Sequence, residues 1–258
     1  MMKRNNFPFS AVLGLNHAKT AILIVLVNPR AGGLLISGPR GIGKSTLMRS
    51  TQELIERPWR DIPVSVTEDR LFGTIDTEKA IYSGQKKLYP GIINEADQGV
   101  LYLDDANLLR EDLLDFILNI AEVGAYQLER DGLSLRCDTS FTVIAAINPE
   151  SGMLSGACLD QFGLFVNVDN IHDENTRVEI LKRTISFEKD CASFCKLWKL
   201  ENEKIKKAIH SAMSLLPKVV VSSAMIQLAS VYALKAHVSG HRADICLLYT
   251  SPSPRDTR

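Results

Sequence analysis

Gly38-Pro39-Arg40-Gly41-Ile42-Gly43-Lys44-Ser45-Thr46 decides the fold. The stretch fits Gly-x4-Gly-Lys-Ser/Thr, the spacing of a phosphate-binding loop. Glycines let the backbone wrap around a triphosphate with its N–H groups turned inward. Lys44 reaches the β- and γ-phosphates, and the Ser45 hydroxyl is a ligand for Mg²⁺. The flanks supply the context that a chance match lacks. Gly33-Leu34-Leu35-Ile36-Ser37 reads as an apolar strand entering the loop, and Thr46 to Leu54 carries apolar residues at helical spacing after it. The helix that follows presents its positive end to the phosphates. ATP with Mg²⁺ is therefore the expected ligand, with all nine residues from Gly38 to Thr46 in contact with the nucleotide.

The 258 residues are 45% hydrophobic, enough for one α/β domain with a smaller appendage. Thirty basic and thirty acidic residues cancel, so charge indicates neither a nucleic-acid partner nor an anionic membrane. The apolar run Ala21 to Val27 stops at Asn28-Pro29, well short of the ~20 residues of a membrane span, and is expected to be a helix inside the domain. No apolar segment follows the basic start Met1 to Asn6, so a cytoplasmic protein is expected. Five cysteines without regular pairing argue against a disulfide framework. Cys191 and Cys195 share a helix face but lack a second pair at zinc spacing, and read as ordinary thiols. His17, His172, His210, His237 and His241 are scattered and read as surface or packing residues.

Sixty residues after Lys44, Gly99-Val100-Leu101-Tyr102-Leu103-Asp104-Asp105 is an apolar strand ending in two acids, resembling a Walker B segment. A parallel strand delivers its last residues to the carboxyl edge of the sheet, beside the phosphate loop. Asp104 is assigned to the Mg²⁺ shell together with Ser45, and Asp105 to orienting water. A further strand, Phe141 to Ile147, ends in Asn148-Pro149-Glu150. Asn148 either stands near the γ-phosphate or starts a turn, as Asn-Pro commonly does.

Several stretches together resemble the ATPase subunit of magnesium chelatase, a family of AAA+ ATPases. They are Phe7-Pro8-Phe9-Ser10, the phosphate loop, Tyr89-Pro90-Gly91-Ile92-Ile93, Gly99 to Asp104, Leu128 to Arg136, Asn148-Pro149-Glu150 and Gly240-His241-Arg242-Ala243-Asp244-Ile245. The resemblance implies a three-layer α/β sandwich with a parallel sheet over residues 7–170 and a small helical lid over 171–248. Residues 171–248 independently read as amphipathic helices. It also implies a ring, commonly a hexamer, with ATP between neighbouring subunits and a partner chelatase subunit that inserts Mg²⁺ or cobalt into a tetrapyrrole. By the same resemblance Gly124 to Phe141 is a hairpin, Gly14-Leu15-Asn16 lies beside adenine, Asn148 takes the sensor-1 position and Arg242 the sensor-2 position on the γ-phosphate.

Two departures touch hydrolysis. Asp105 stands where the family has Glu, one methylene longer. Gln161, in Leu159-Asp160-Gln161-Phe162-Gly163, stands where the family supplies an arginine finger to the next subunit; Arg136 and Arg177 are the candidates to replace it. These departures favour a rival reading, a nucleotide-gated scaffold or a MoxR-like remodelling subunit with weak hydrolysis. A small-molecule P-loop kinase would share the first motif, but no acceptor-pocket signature accompanies it. Tyr249 to Arg258, with two prolines, reads as a tail outside the fold.

Overall fold

Strands buried along their whole length need cover on both faces, the condition met by a parallel sheet between helices. Among the described residues three strands are of that kind: β1 (Leu34–Ser37), β5 (Val100–Leu103) and β8 (Thr142–Ile147). The structure is a computed structural model that describes residues 6–75, 88–130, 133–236 and 242–250. Met1 to Asn5, Asp131 and Gly132 of the hairpin motif, His237, Gly240, His241 and residues 251–258 lie outside the described residues.

The other strands are β2 (Trp59–Ile62), β3 (Gly73–Ile75), β4 (Leu88–Pro90), β6 (Ala125–Arg130), β7 (Leu133–Asp138) and β9 (Leu164–Asn167). The helices among the described residues are α1 (Asn16–Val27), α2 (Lys44–Thr51), α3 (Glu68–Phe72), α4 (Ile92–Glu95), α5 (Glu111–Val123), α6 (Gly156–Asp160), α7 (Glu174–Lys189), α8 (Cys191–Leu215), α9 (Ser223–Lys235) and α10 (Arg242–Thr250). The main sheet has the order β2-β5-β8-β1-β9. β2 and β5 run parallel with Trp59 opposite Val100, and β5 and β8 run parallel with Leu101 opposite Val143. Two antiparallel pairs, β3 with β4 and β6 with β7, stand apart from it. The second is the hairpin expected over Gly124 to Phe141.

By contact the chain divides into one unit of residues 1–34, 46–55 and 162–258 and another of 35–45 and 56–161. In the second unit, α5 turns Leu113, Leu114, Ile117, Leu118 and Ile120 inward. Gly124, at φ 79°, closes that helix by donating its N–H to Ile120 O. In the first unit α1 buries Ala18, Ala21, Ile22, Val25 and Leu26, as its apolar run requires. Phe7, Phe187, Phe194 and Trp198 pack as an aromatic cluster, and Arg183 lies over Trp198 at 4.5 Å while donating to Ala11 O. Helices α7, α8, α9 and α10 lie in the part expected to be helical, and the last of them runs past 248 to Thr250, whose hydroxyl donates back to Cys246 O. Among the described residues no single helix is long and apolar enough to cross a membrane.

Candidate nucleotide-binding site

The loop begins where β1 ends. Gly38 donates its N–H to Ile147 O, the last residue of β8, so the loop is anchored to the neighbouring strand at 3.2 Å. Gly41 and Gly43 have φ of 82° and 96°, a region that residues with a Cβ avoid. A Cβ on Gly41 would meet nothing within 4 Å, so conformation rather than crowding requires glycine there. Lys44 opens α2 and is buried, with Nζ donating to Gly38 O at 2.5 Å and Pro39 O at 2.9 Å. Burial pulls its pKa below the usual lysine value, and the carboxylates of Asp105 and Asp104 offset part of that. Arg40 and Thr46 are exposed on either side.

β5 delivers its carboxylates to the same place. Asp104 Oδ1 accepts from Ser45 Oγ at 3.1 Å and from Tyr102 OH at 2.9 Å. The Tyr102 ring is fully buried and stands 6.1 Å from the Trp59 ring. Burial, and then the charge and hydrogen bond of Asp104, hold the phenol far above its usual range, so it remains a donor. Asp105 adopts φ 50° and ψ 49°, left-handed backbone that Asp tolerates better than most residues. It heads a 3₁₀ turn, Ala106–Leu108, in which Asn107 Nδ2 donates to Asn148 O at 3.1 Å and Gly152 O at 3.0 Å.

Asn148 follows the last residue of β8 and is buried. Its Oδ1 accepts from the Glu150 N–H at 3.2 Å and its Nδ2 donates to Ser151 Oγ at 3.3 Å. The turn use of Asn-Pro is therefore realised, as it is at Asn28-Pro29, where Asn28 Oδ1 accepts from the Arg30 N–H. The loop, Ser45, Asp104, Asp105 and Asn148 all belong to one sheet edge. Arg242 opens α10 in the other unit and is exposed, one turn before Cys246. Arg136 is exposed and paired with Asp138, and Arg177 is exposed on α7. Gln161 follows α6 with its N–H on Cys158 O.

Tyr102 and Asn107 escaped the sequence reading. A signal for Tyr102 was present: residues i and i+2 of a strand share a face, which puts a phenol beside Asp104. Asn107 had none, because its role depends on where β8 ends. Among the described residues no three His, Cys, Asp or Glu side chains gather as a metal cage. A hydroxyl and one carboxylate suit Mg²⁺ in a nucleotide site, where phosphate oxygens and water complete the shell.

Residues 33–161 match the AAA domain (dynein-related subfamily). The chain is 32% identical to the magnesium-chelatase 38 kDa subunit of Chlorobaculum tepidum, over 95% of this chain and 73% of that one. It is 32% identical to the magnesium-chelatase subunit ChlI homolog of Methanocaldococcus jannaschii, over 97% and 79%. For the 38 kDa subunit of Rhodobacter capsulatus the identity is 33%, over 94% and 79%. Among solved structures, a chain from the complex between subunits BchI and BchD of magnesium chelatase superposes with a TM-score of 0.61 at 30% identity, covering 96% of this chain and 94% of that one.

Proposed function

The chain belongs to the magnesium-chelatase ATPase-subunit family of AAA+ proteins, and we propose that its loop binds Mg²⁺-ATP and that hydrolysis drives a metal chelatase complex. The observation that carries this reading is the 3.1 Å contact between Ser45 Oγ and Asp104 Oδ1, which joins the loop hydroxyl to the strand carboxylate. When bound, Mg²⁺ neutralises charge on the β- and γ-phosphates and orients them for in-line attack. Lys44 leaves the carbonyls of Gly38 and Pro39 for the phosphates, and the N–H groups of residues 41 to 46 face the same oxygens. Asp105 orients the attacking water. Asn148 Nδ2 exchanges Ser151 Oγ for a γ-phosphate oxygen. Arg242 is assigned to the γ-phosphate on the family resemblance.

The ATP-binding domain over 7–170 and the helical lid over 171–248 belong to the same proposal, as do a hexameric ring and cytoplasmic work beside a partner chelatase subunit. Exposed apolar side chains on the helices and their connections, Leu197 and Val220 foremost at 77% and 80% exposure, support assembly with further subunits. Magnesium insertion into a tetrapyrrole is the client reaction that the relatives' names favour. Asp105 and Gln161 favour a second reading, in which nucleotide assembles the ring and turnover is weak without a partner.

Replacing Lys44 with Ala tests the site directly. ATP affinity should fall by at least tenfold, since a charge-assisted contact to phosphate is lost. Unchanged ATP affinity in that variant would sink the reading.

A further inference from the structure

Tyr102 is an unusual choice for the inside of a sheet. It occupies the third position of β5, with Asp61 opposite in β2 and Ile144 opposite in β8, and is 1% exposed. Phenylalanine would fill that volume without burying a hydroxyl, which is costly unless the hydroxyl is hydrogen-bonded. The hydroxyl goes to Asp104 Oδ1 at 2.9 Å, the oxygen that also accepts from Ser45 at 3.1 Å.

We infer that Tyr102 is a positioning residue that fixes the Asp104 carboxylate for Mg²⁺. Two donors converge on Oδ1, so that oxygen is fully engaged and Oδ2 is the one whose lone pairs can face a metal-bound water. The two donors differ in duty. Ser45 must point a lone pair at the metal while its proton stays on Asp104, and its side chain can rotate. The phenol is held by packing against Trp59 and cannot. Tyr102 thus keeps the carboxylate in one orientation whether or not Ser45 is turned toward the metal. Partners that orient metal-binding groups are commonly worth 10- to 100-fold in metal affinity.

The inference rests on the proposed Mg²⁺-ATP site, and the test separates the two. Binding of a fluorescent ATP analogue is followed on the full chain while Mg²⁺ is titrated, for the native protein, Tyr102→Phe and Lys44→Ala. Tyr102→Phe should raise the half-saturating Mg²⁺ concentration about tenfold, with binding in EDTA unchanged and the melting temperature within a few degrees of native. A merely structural tyrosine would move the melting temperature and leave the Mg²⁺ curve in place, and that result overturns the inference alone. Retained analogue binding in Lys44→Ala overturns the site and the inference together. Should the phenylalanine variant aggregate, Tyr102→Leu, also without the hydroxyl, repeats the titration with the same two outcomes.

Discussion

A β-carbon added to Gly163 would stand 1.7 Å from Ala31 O, a distance that no side-chain adjustment relieves because the obstacle is backbone. The same residue donates its N–H to Gly32 O at 2.8 Å and so begins the run that Leu164 continues by donating to Gly33 O at 3.1 Å. Its glycine is a packing requirement, and the Phe-Gly pair after Gln161 needs no catalytic reason to exist. Gly41 is the contrasting case, with open space around it and left-handed backbone. The two substitutions should therefore behave differently. Gly163→Ala forces backbone apart and is expected to cost about 3 kcal/mol or more. Gly41→Ala costs about 1–2 kcal/mol of conformational strain, and it weakens ATP binding by distorting the loop. Thermal melts with and without Mg²⁺-ATP check this. Equal melting temperatures for the two variants without nucleotide would show that crowding at Gly163 relaxes in a way the static packing does not allow.

Among the elements, the β6–β7 hairpin depends on one side chain at its base. The Tyr126 hydroxyl lies 2.8 Å from Phe72 O and 2.6 Å from Asn94 Oδ1, and that Asn94 oxygen also accepts from the Gly91 N–H that starts α4. Gly91 in turn leaves no room for a Cβ, which would sit 2.4 Å from Leu71 O. Removing the hydroxyl in Tyr126→Phe takes away the one proton that Phe72 O and Asn94 Oδ1 compete for, and since Asn94 keeps the Gly91 N–H the loss is worth about 1 kcal/mol. The expected result is faster amide exchange across Ala125–Arg130 and Leu133–Asp138, measured by hydrogen exchange with mass spectrometry. Exchange rates unchanged there would mean that the strand pairing alone holds the hairpin. Elements of this kind show what a sequence exposes. β1, β5 and β8 were legible because uniform burial writes an uninterrupted apolar run, and the loop because its glycines obey fixed spacing. β2 was not, since Arg60 and Asp61 face solvent at the sheet edge and leave Ile62 as its one fully buried residue. β9, with half its positions exposed, gave only four residues of weak alternation. At the site, Ser45 and Asp104 were found from spacing, whereas the bonds of Asn148 to Glu150 and Ser151 depend on the turn that Pro149 imposes after the strand.

For the molecule as a whole, the rate of turnover is to be tested at position 161. The family resemblance implies an arginine at this position, supplied to a neighbouring subunit, and an arginine finger is worth about 10³ to 10⁵ in rate because it neutralises charge that develops during phosphoryl transfer. Gln161 has no charge to offer. Position 161 is half-exposed at the end of α6, where its backbone N–H closes that helix on Cys158 O. The residues after it, buried Phe162 and crowded Gly163, keep the chain's path through a substitution. Gln161→Arg is therefore expected to raise steady-state ATP hydrolysis by about a hundredfold or more at concentrations where subunits assemble. The gain should vanish on dilution, because an arginine acting across an interface needs the interface. A second subunit that carries the arginine should produce the same rise with the native chain, and its K44A form should do so as well, since the donor of the arginine need not bind the nucleotide it acts on. Equal and brisk turnover in the native and Gln161→Arg chains would assign the role to another arginine, with Arg136 and Arg177 the first to replace by alanine.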